Sequence, residues 1–167
     1  LSVDSLDQIH PSRIRENLQA GSAQSVGLER ENNEDSVFMM YGSSYGEEAL
    51  PEFGLFCVAD GAGGLGHGEL ASSIAVKTVV GELIQNAVLK TLEIEDSDTQ
   101  PGIEAIARQA IERANQEVID SANGGVTTLT VALVLNGQMI IGHVGDSRAY
   151  LVQNGKPRLL TRDHSYS

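Results

Sequence analysis

The stretch that decides the fold is Val58-Ala59-Asp60-Gly61-Ala62-Gly63-Gly64-Leu65-Gly66-His67-Gly68-Glu69. It continues an apolar run, Phe53 to Ala59, that predicts a buried β-strand, and it leads into a helical pattern. Asp60 therefore stands where the strand ends and a glycine-rich turn begins. A charge there is costly unless it is paired or metal-bound, and Gly61 leaves room for its carbonyl to approach an ion. We interpret Asp60 as a metal ligand; the alternative is an aspartate that caps the following helix.

The same glycines, Gly61 to Gly66, also match the G-x-G-x-x-G pattern that binds dinucleotides between a strand and a helix. Two features count against that interpretation. Asp60 would lie beside an anionic pyrophosphate. The later strands also have the pattern of hairpins, whereas a doubly wound sheet requires βαβ crossovers.

Outward from this stretch, strand patterns precede and follow a pair of helical patterns. The turn signals Asn136-Gly137 and Asn154-Gly155 join neighbouring strands as hairpins, which are antiparallel. Strands, two helices and then a β-meander predict an α+β fold with helices packed on an antiparallel sheet. Residues 1 to 17 are interpreted as an irregular lead-in segment. Strands are predicted over Leu18–Leu28, Val37–Tyr41, Phe53–Ala59, Thr127–Leu135, Gln138–Val144, Ala149–Gln153 and Arg158–Leu160, and helices over Glu69–Lys90 and Gly102–Ala122.

The composition limits the classes of partner. The 167 residues include 11 Lys and Arg against 23 Asp and Glu, a formal charge of −12. A basic surface for nucleic acid is absent and anionic lipid should repel the chain, so we predict neither nucleic-acid nor membrane partners. No apolar stretch approaches the roughly 18 residues of a membrane span. The single cysteine, Cys57, suits a reducing compartment and predicts a cytoplasmic location.

A second acidic segment, Arg30-Glu31-Asn32-Asn33-Glu34-Asp35-Ser36, lies at the edge of a predicted strand. Glu34 and Asp35 offer the hard oxygen ligands that suit Mg²⁺ or Mn²⁺. Because neighbouring strand residues face opposite sides, one carboxylate should bind directly and the other through water. The guanidinium of Arg30 can grip two oxygens of a phosphate. The alternative is a polar loop with a surface salt bridge.

A third acidic segment, Gly145-Asp146-Ser147-Arg148, follows another predicted strand. Asp146 could join an ion, or it could pair with Arg148 to hold a turn together, and spacing alone does not separate these alternatives. Further on, Asp163 and His164 fit either a base with its orienting carboxylate or a capping turn before a helix, and we favour the turn. The other histidines are given no role.

Taken together, five segments resemble the PPM family, the metal-dependent (type 2C) protein serine/threonine phosphatases. They occur in the family's order and reach the end of the chain. Each is weakly specific alone, whereas five in order are strongly specific. The matching segments are Arg30-x-x-Asn33-Glu34-Asp35-Ser36, Asp60-Gly61-x-Gly63-Gly64 with Gly68-Glu69-x-Ala71-Ser72, Thr127-Thr128, Val144-Gly145-Asp146-Ser147-Arg148-Ala149-Tyr150, and Thr161-x-Asp163-His164-Ser165.

The resemblance implies both a fold and a metal site. The fold is an α+β sandwich of two antiparallel β-sheets flanked by antiparallel helix pairs. The site holds two Mn²⁺ or Mg²⁺ ions, with Asp60 and Asp35 as the catalytic carboxylates. Asp60 would bridge both ions and the Gly61 carbonyl would bind one of them. Asp35 and Glu34 would hold ions directly or through water.

The resemblance also implies an activity, the hydrolysis of phosphoserine and phosphothreonine in proteins. A hydroxide that bridges two ions about 3.5–4 Å apart would attack phosphorus in line. Arg30 would bind the substrate phosphate, and Asp146 would hold a further, weaker ion. The Thr127-Thr128 pair and the turn at Asp163-His164-Ser165 would be structural. The implied partner is a phosphoprotein substrate.

The chain departs from the family pattern in two ways. Ala62 stands where some members carry a histidine proposed as general acid, so no general acid is assigned. The chain also stops at Ser167 before the family's later aspartates, so we expect residues 18 to 167 to be a truncated, C-terminally incomplete catalytic domain. Such a fragment should be inactive or weak, and its exposed strands invite self-association. The alternative function is a catalytically dead, phosphatase-like module that binds a partner or regulates.

Overall fold

The computed structural model describes residues 18–27, 32–42, 51–64, 67–92, 102–135 and 137–164. The predicted lead-in, Arg30 and most of the loop between the first two strands lie outside these residues. Within them the strands are β1 (Ser36–Gly42), β2 (Phe53–Ala59), β3 (Gly61–Ala62), β4 (Val126–Thr127), β5 (Leu129–Leu135), β6 (Gln138–Val144), β7 (Tyr150–Gln153) and β8 (Lys156–Leu159). The helices are α1 (His67–Leu83), α2 (Leu89–Leu92) and α3 (Ile103–Ser121), with a π-helical segment, Ile84–Val88, between α1 and α2.

An antiparallel sheet with the strand order β1-β2-β5-β6 forms the centre of the fold. Two shorter ladders, β3 with β4 and β7 with β8, accompany it. Asn154 and Gly155 join β7 to β8 with φ angles of 53° and 72°, as a type I′ hairpin turn requires. Every pairing among the described strands is antiparallel. The predicted α+β class is therefore confirmed, and the doubly wound dinucleotide fold is excluded.

The core lies between this sheet and the helices α1 and α3. In β5 the apolar side chains alternate, with Leu129, Val131, Leu133 and Leu135 buried and the residues between them half-buried. Such alternation follows from the twofold period of a strand, because only one face meets the helices. Burial of each of these leucines stabilises the fold by about 1.5–3 kcal/mol.

The opposite face of the sheet is more exposed. Val58 of β2 is 45% exposed, although its neighbours Cys57 and Ala59 are buried. The prediction that Phe53–Ala59 is buried throughout is therefore wrong at Val58. Its side chain points away from the helices, and an apolar run alone does not reveal whether both faces of a strand are covered.

Three predicted elements differ most from the structure, whereas β1, β7, β8 and α3 differ from the predicted bounds by one or two residues at an end. The strand predicted over Leu18–Leu28 is wrong for its described part, 18–27, which is irregular. This segment is held by contacts such as the hydrogen bond from the Leu18 N–H to the Glu52 carboxylate, 3.0 Å. The single strand predicted over Thr127–Leu135 is divided at Thr128 into β4 and β5. The helix predicted over Glu69–Lys90 begins earlier, at His67. It corresponds to α1, the π-helical segment and the start of α2.

Of the described helices, none combines the length and apolarity needed to cross a bilayer.

Candidate metal centre

Asp60 lies between β2 and β3, and Thr127 and Thr128 fix its backbone. The Thr128 N–H and the Thr127 hydroxyl both donate to the Asp60 carbonyl, at 2.9 and 3.0 Å. The Asp60 N–H donates to the Thr128 hydroxyl at 3.0 Å. Asp60 itself is exposed, so the argument that its charge would be costly to bury is wrong. The carboxylate stands at a solvent-accessible end of the sheet, where an ion can reach it.

The register of β1 and β2 brings a second carboxylate to the same end. Ser36 pairs with Ala59, so Asp35 and Asp60, the next residues beyond this pair, lie at the ends of neighbouring strands. The Asp35 N–H donates to the side-chain oxygen of Asn33 at 2.9 Å, which closes a local turn before β1 begins. Asp35 is half-buried. The two catalytic carboxylates of the prediction thus share one edge of the sheet.

Glu34 lies against the start of α1 and the glycine turn. Its carboxylate carbon is only 2.9 Å from where a Cβ on Gly68 would stand, and its carbonyl oxygen is 2.5 Å from a Cβ built on Gly61. A Cβ on Gly61 would also overlap the carbonyl oxygen of Gly68. Glycine at these two positions therefore lets Glu34, the strand end and the helix start approach one another. Glu34 thus packs against Gly61, and each of them is the sequence neighbour of one predicted catalytic carboxylate, Asp35 or Asp60.

Asp146 follows β6 at the same edge of the sheet, because Val144 of β6 pairs with Leu129 of β5. The preceding residue, Gly145, has φ = 105°, a conformation that side chains with a Cβ disfavour. The next residue, Ser147, places its hydroxyl 2.7 Å from that of Thr128. Thr128 therefore connects the backbone of Asp60 with the turn that carries Asp146, which is exposed.

Arg148 pairs with Asp163 and not with Asp146, so the alternative in which Asp146 and Arg148 hold a turn is wrong. The guanidinium contacts both oxygens of Asp163, with the shortest distance 2.6 Å. Hydrogen bonding to Arg148 lowers the pKa of Asp163, and the same pairing raises the pKa of Arg148. A bidentate pair of this kind fixes the geometry of two chain segments.

The base and orienter interpretation of Asp163 and His164 is also wrong, because Asp163 is directed to Arg148. The His164 ring stacks on His143 with centroids 5.2 Å apart, and its backbone N–H donates to the Gly145 carbonyl at 2.8 Å. Residues 160–164 are irregular, and the predicted helix after them lies outside the described residues. His143, for which the sequence predicts no role, hydrogen-bonds both Thr130 and the Gly145 carbonyl.

The chemistry of the donor set fits a hard divalent cation, because carboxylates and a backbone carbonyl are all oxygen ligands. Within the described ranges, no three Asp, Glu, His or Cys side chains converge closely enough to hold one ion by themselves. Arg30, the predicted phosphate ligand, lies outside the described residues. A groove of about 600 Å³ between α3 and β6 is lined by none of these carboxylates.

Comparison with known proteins identifies relatives of this chain. The sequence model of the family described as "Protein phosphatase 2C" matches residues 32–167. The serine/threonine phosphatase stp of Listeria welshimeri is 38% identical over 108 residues, which cover 65% of this chain and 42% of that protein. This chain thus spans less than half of the length of that relative.

Solved structures show the same likeness. The crystal structure of the Mycobacterium tuberculosis serine/threonine phosphatase PstP/Ppp is 30% identical, with a TM-score of 0.56 over 82% of this chain and 51% of that one. The catalytic domain of PstP in complex with two manganese ions is 29% identical, with a TM-score of 0.56 over 82% and 52% of the two chains. This likeness confirms the predicted type 2C phosphatase-like fold. The chain belongs to the protein phosphatase 2C family.

Proposed function

We propose that the protein containing this chain hydrolyses phosphoserine and phosphothreonine in proteins, with Mn²⁺ or Mg²⁺ as cofactor. The observation that carries the proposal is that Asp35 and Asp60 adjoin paired strand ends at one solvent-accessible end of the sheet, with Glu34 packed against Gly61. The family membership and the two manganese ions reported for the PstP catalytic domain support it. Because the chain spans about half of the solved PstP structures, the reaction is assigned to the whole protein.

Each residue has a defined part in this proposal. Asp60 and the Gly61 carbonyl hold the paired ions, and Asp35 and Glu34 bind directly or through water. When bound, two such ions lower the pKa of a shared water and stabilise charge on the phosphoryl oxygens. Arg30 orients the phosphate through its planar guanidinium.

Two further residues limit the mechanism. Asp146 is proposed to hold a further, weaker ion, beside the turn that Thr128 ties to Asp60. The side chain of Ala62 has no ionisable group, so it cannot protonate the leaving group, and we assign no general acid.

The test is hydrolysis of a phosphothreonine peptide by the full-length protein with Mn²⁺. Asp60→Asn keeps the shape of the side chain and removes its charge, so we expect activity to fall at least about a hundredfold. Glu104→Gln, an exposed carboxylate at the start of α3, is the matched control and should retain activity. Turnover that neither a chelator nor Asp60→Asn reduces would refute the metal mechanism.

The second candidate is a catalytically inactive, phosphatase-like module that binds a partner, which Ala62 favours. Calorimetry with Mn²⁺ separates the two functions. Micromolar affinity that Asp60→Asn abolishes argues for a working metal site. A full-length protein that binds no Mn²⁺ and does not cleave the peptide favours the inactive module.

The proposed partners and location follow from the surface and the thiol. A phosphoprotein is the proposed substrate. Tyr150, Val152 and Leu159 of the β7–β8 hairpin expose apolar side chains, which supports self-association of this chain at high concentration. The free thiol of Cys57 supports a reducing compartment such as the cytoplasm.

A further inference from the structure

Ser72 is a buried polar residue that the proposed mechanism does not use. It lies in α1, and its exposure is 0%. A hydroxyl without a partner in such a position destabilises a protein, so the partners of Ser72 show what its burial serves. They are the Glu34 carbonyl at 2.6 Å, the Glu69 carbonyl at 3.1 Å and the Ser36 hydroxyl at 3.0 Å.

The direction of these hydrogen bonds can be assigned. A serine hydroxyl carries one proton, and a carbonyl oxygen can only accept. The proton of Ser72 therefore points to the carbonyls, with the Glu34 oxygen closer than the Glu69 oxygen. Ser36 must in turn donate to Ser72. The hydroxyl of Ser72 thus binds the residue before Asp35 as donor and the residue after it as acceptor.

We propose that Ser72 is a positioning residue that holds the Glu34 backbone next to Asp35 and thereby aims the Glu34 and Asp35 carboxylates at the ion site. The inference rests on the proposed function. Glu34 is also held by packing, because its carbonyl oxygen lies close to Gly61 and its carboxylate lies close to Gly68. Helix α1 therefore sets the geometry of the ligands through one hydroxyl, although it supplies none of them itself.

The experiment compares Ser72→Ala with Ser36→Ala in the 167-residue chain, using Mn²⁺ alone as the probe. Both variants remove one hydroxyl from the same network, but only Ser72→Ala releases the Glu34 carbonyl. Loss of a group that orients metal ligands typically weakens affinity by 10–100-fold, so we expect about a tenfold rise in the Kd for Mn²⁺ in Ser72→Ala. For Ser36→Ala we expect a change of about twofold or less.

Hydrogen exchange of the ion-free chain gives a readout that does not depend on metal. Exchange in the peptide that contains residues 33–36 should accelerate about tenfold in Ser72→Ala, because the turn before β1 opens more often. It should change little in Ser36→Ala. If Ser72→Ala does not fold, Ser72→Cys, which fills similar space and donates weakly, carries the same comparison with a smaller expected shift.

The outcomes separate this inference from the proposed function. Wild-type Mn²⁺ affinity in Ser72→Ala, or an equal loss in Ser36→Ala, overturns the positioning role. If the unmodified chain binds no Mn²⁺, the proposed metal site of this chain fails, and hydrogen exchange alone decides whether Ser72 holds the Glu34 backbone. Unchanged exchange at 33–36 then overturns the inference as well.

Discussion

Thr128 and Asp60 form a reciprocal pair of hydrogen bonds across 68 residues of sequence. The Asp60 N–H donates to the Thr128 hydroxyl at 3.0 Å, and the Thr128 N–H donates to the Asp60 carbonyl at 2.9 Å. The division between β4 and β5 thus coincides with the end of β2. A threonine at the division supplies both the main-chain and the side-chain partner that the strand end needs.

Replacing Thr128 with valine should destabilise the fold, because it leaves the Asp60 N–H without its hydroxyl partner while keeping the shape of the side chain. We expect a loss of about 1–2 kcal/mol in the free energy of unfolding, measured by urea denaturation. Thr128→Ser keeps the hydroxyl and should lose less. A loss in Thr128→Ser with none in Thr128→Val would show that packing of the methyl group against Gly145, and not the hydrogen bond, matters there.

Gly61→Ala should be among the most destabilising substitutions in this chain. Its Cβ would overlap the Gly68 carbonyl oxygen and would stand 2.5 Å from the Glu34 carbonyl oxygen, and backbone atoms cannot move aside easily. We expect a loss of about 3 kcal/mol or more in thermal or urea unfolding.

The matched control for Gly61→Ala is Gly81→Ala in α1, where a Cβ would meet nothing within 4 Å. Alanine in a helix interior is favoured over glycine by about 1 kcal/mol, so this variant should be neutral or more stable. A Gly61→Ala protein as stable as the Gly81→Ala protein would contradict the packing of the glycine turn described above.

Sequence patterns predicted the elements whose signals are local. The strands β2 and β6 have the predicted bounds, because an apolar run or a hairpin turn delimits each of them. The strand predicted over Leu18–Leu28 failed. A strand pattern there does not reveal whether a neighbouring strand is available to pair with it.

The sequence reveals the acidic residues of the candidate site, whereas the contacts that support them are visible only in the structure. A carboxylate beside a strand is visible in the sequence, as Asp60 after β2 and Asp35 before β1 show. The supporting contacts join residues far apart in the chain, such as Ser72 with Glu34 across 38 positions. Serine in a helix has no distinctive local pattern, so its role emerges only from the packing of α1 against β1.

The thiol of Cys57 should be unreactive in the folded protein. Its side chain is 1% exposed, and burial raises the pKa of Cys57 to about 12. Because the thiolate is the reactive form, a disulfide reagent such as DTNB at about pH 8 should label the chain only after denaturation. Rapid labelling of native protein, at the rate of a free cysteine, would show that the sheet and helices open readily at β2.

The Arg148–Asp163 pair should make stability depend on acidity. The pKa of Asp163 is lowered in the folded state, chiefly by its hydrogen bonds to Arg148. The pair therefore stabilises the fold above the ordinary aspartate pKa of about 3.9, and this contribution is lost as the pH falls through the lowered value. Thermal unfolding of Asp163→Asn should show a lower Tm than the unmodified chain at neutral pH, with the difference shrinking below about pH 4.

A double-mutant cycle with Arg148→Gln isolates the pair from other titrating groups. In the Arg148→Gln background, Asp163→Asn should have little further effect on Tm at neutral pH, because the partner that lowers the pKa of Asp163 is gone. Both chain segments that the pair joins, the turn after β6 and the irregular stretch through His164, should then exchange amide protons faster. A Tm difference for Asp163→Asn that stays constant from neutral to acidic pH would mean that Asp163 acts through its shape and not its charge.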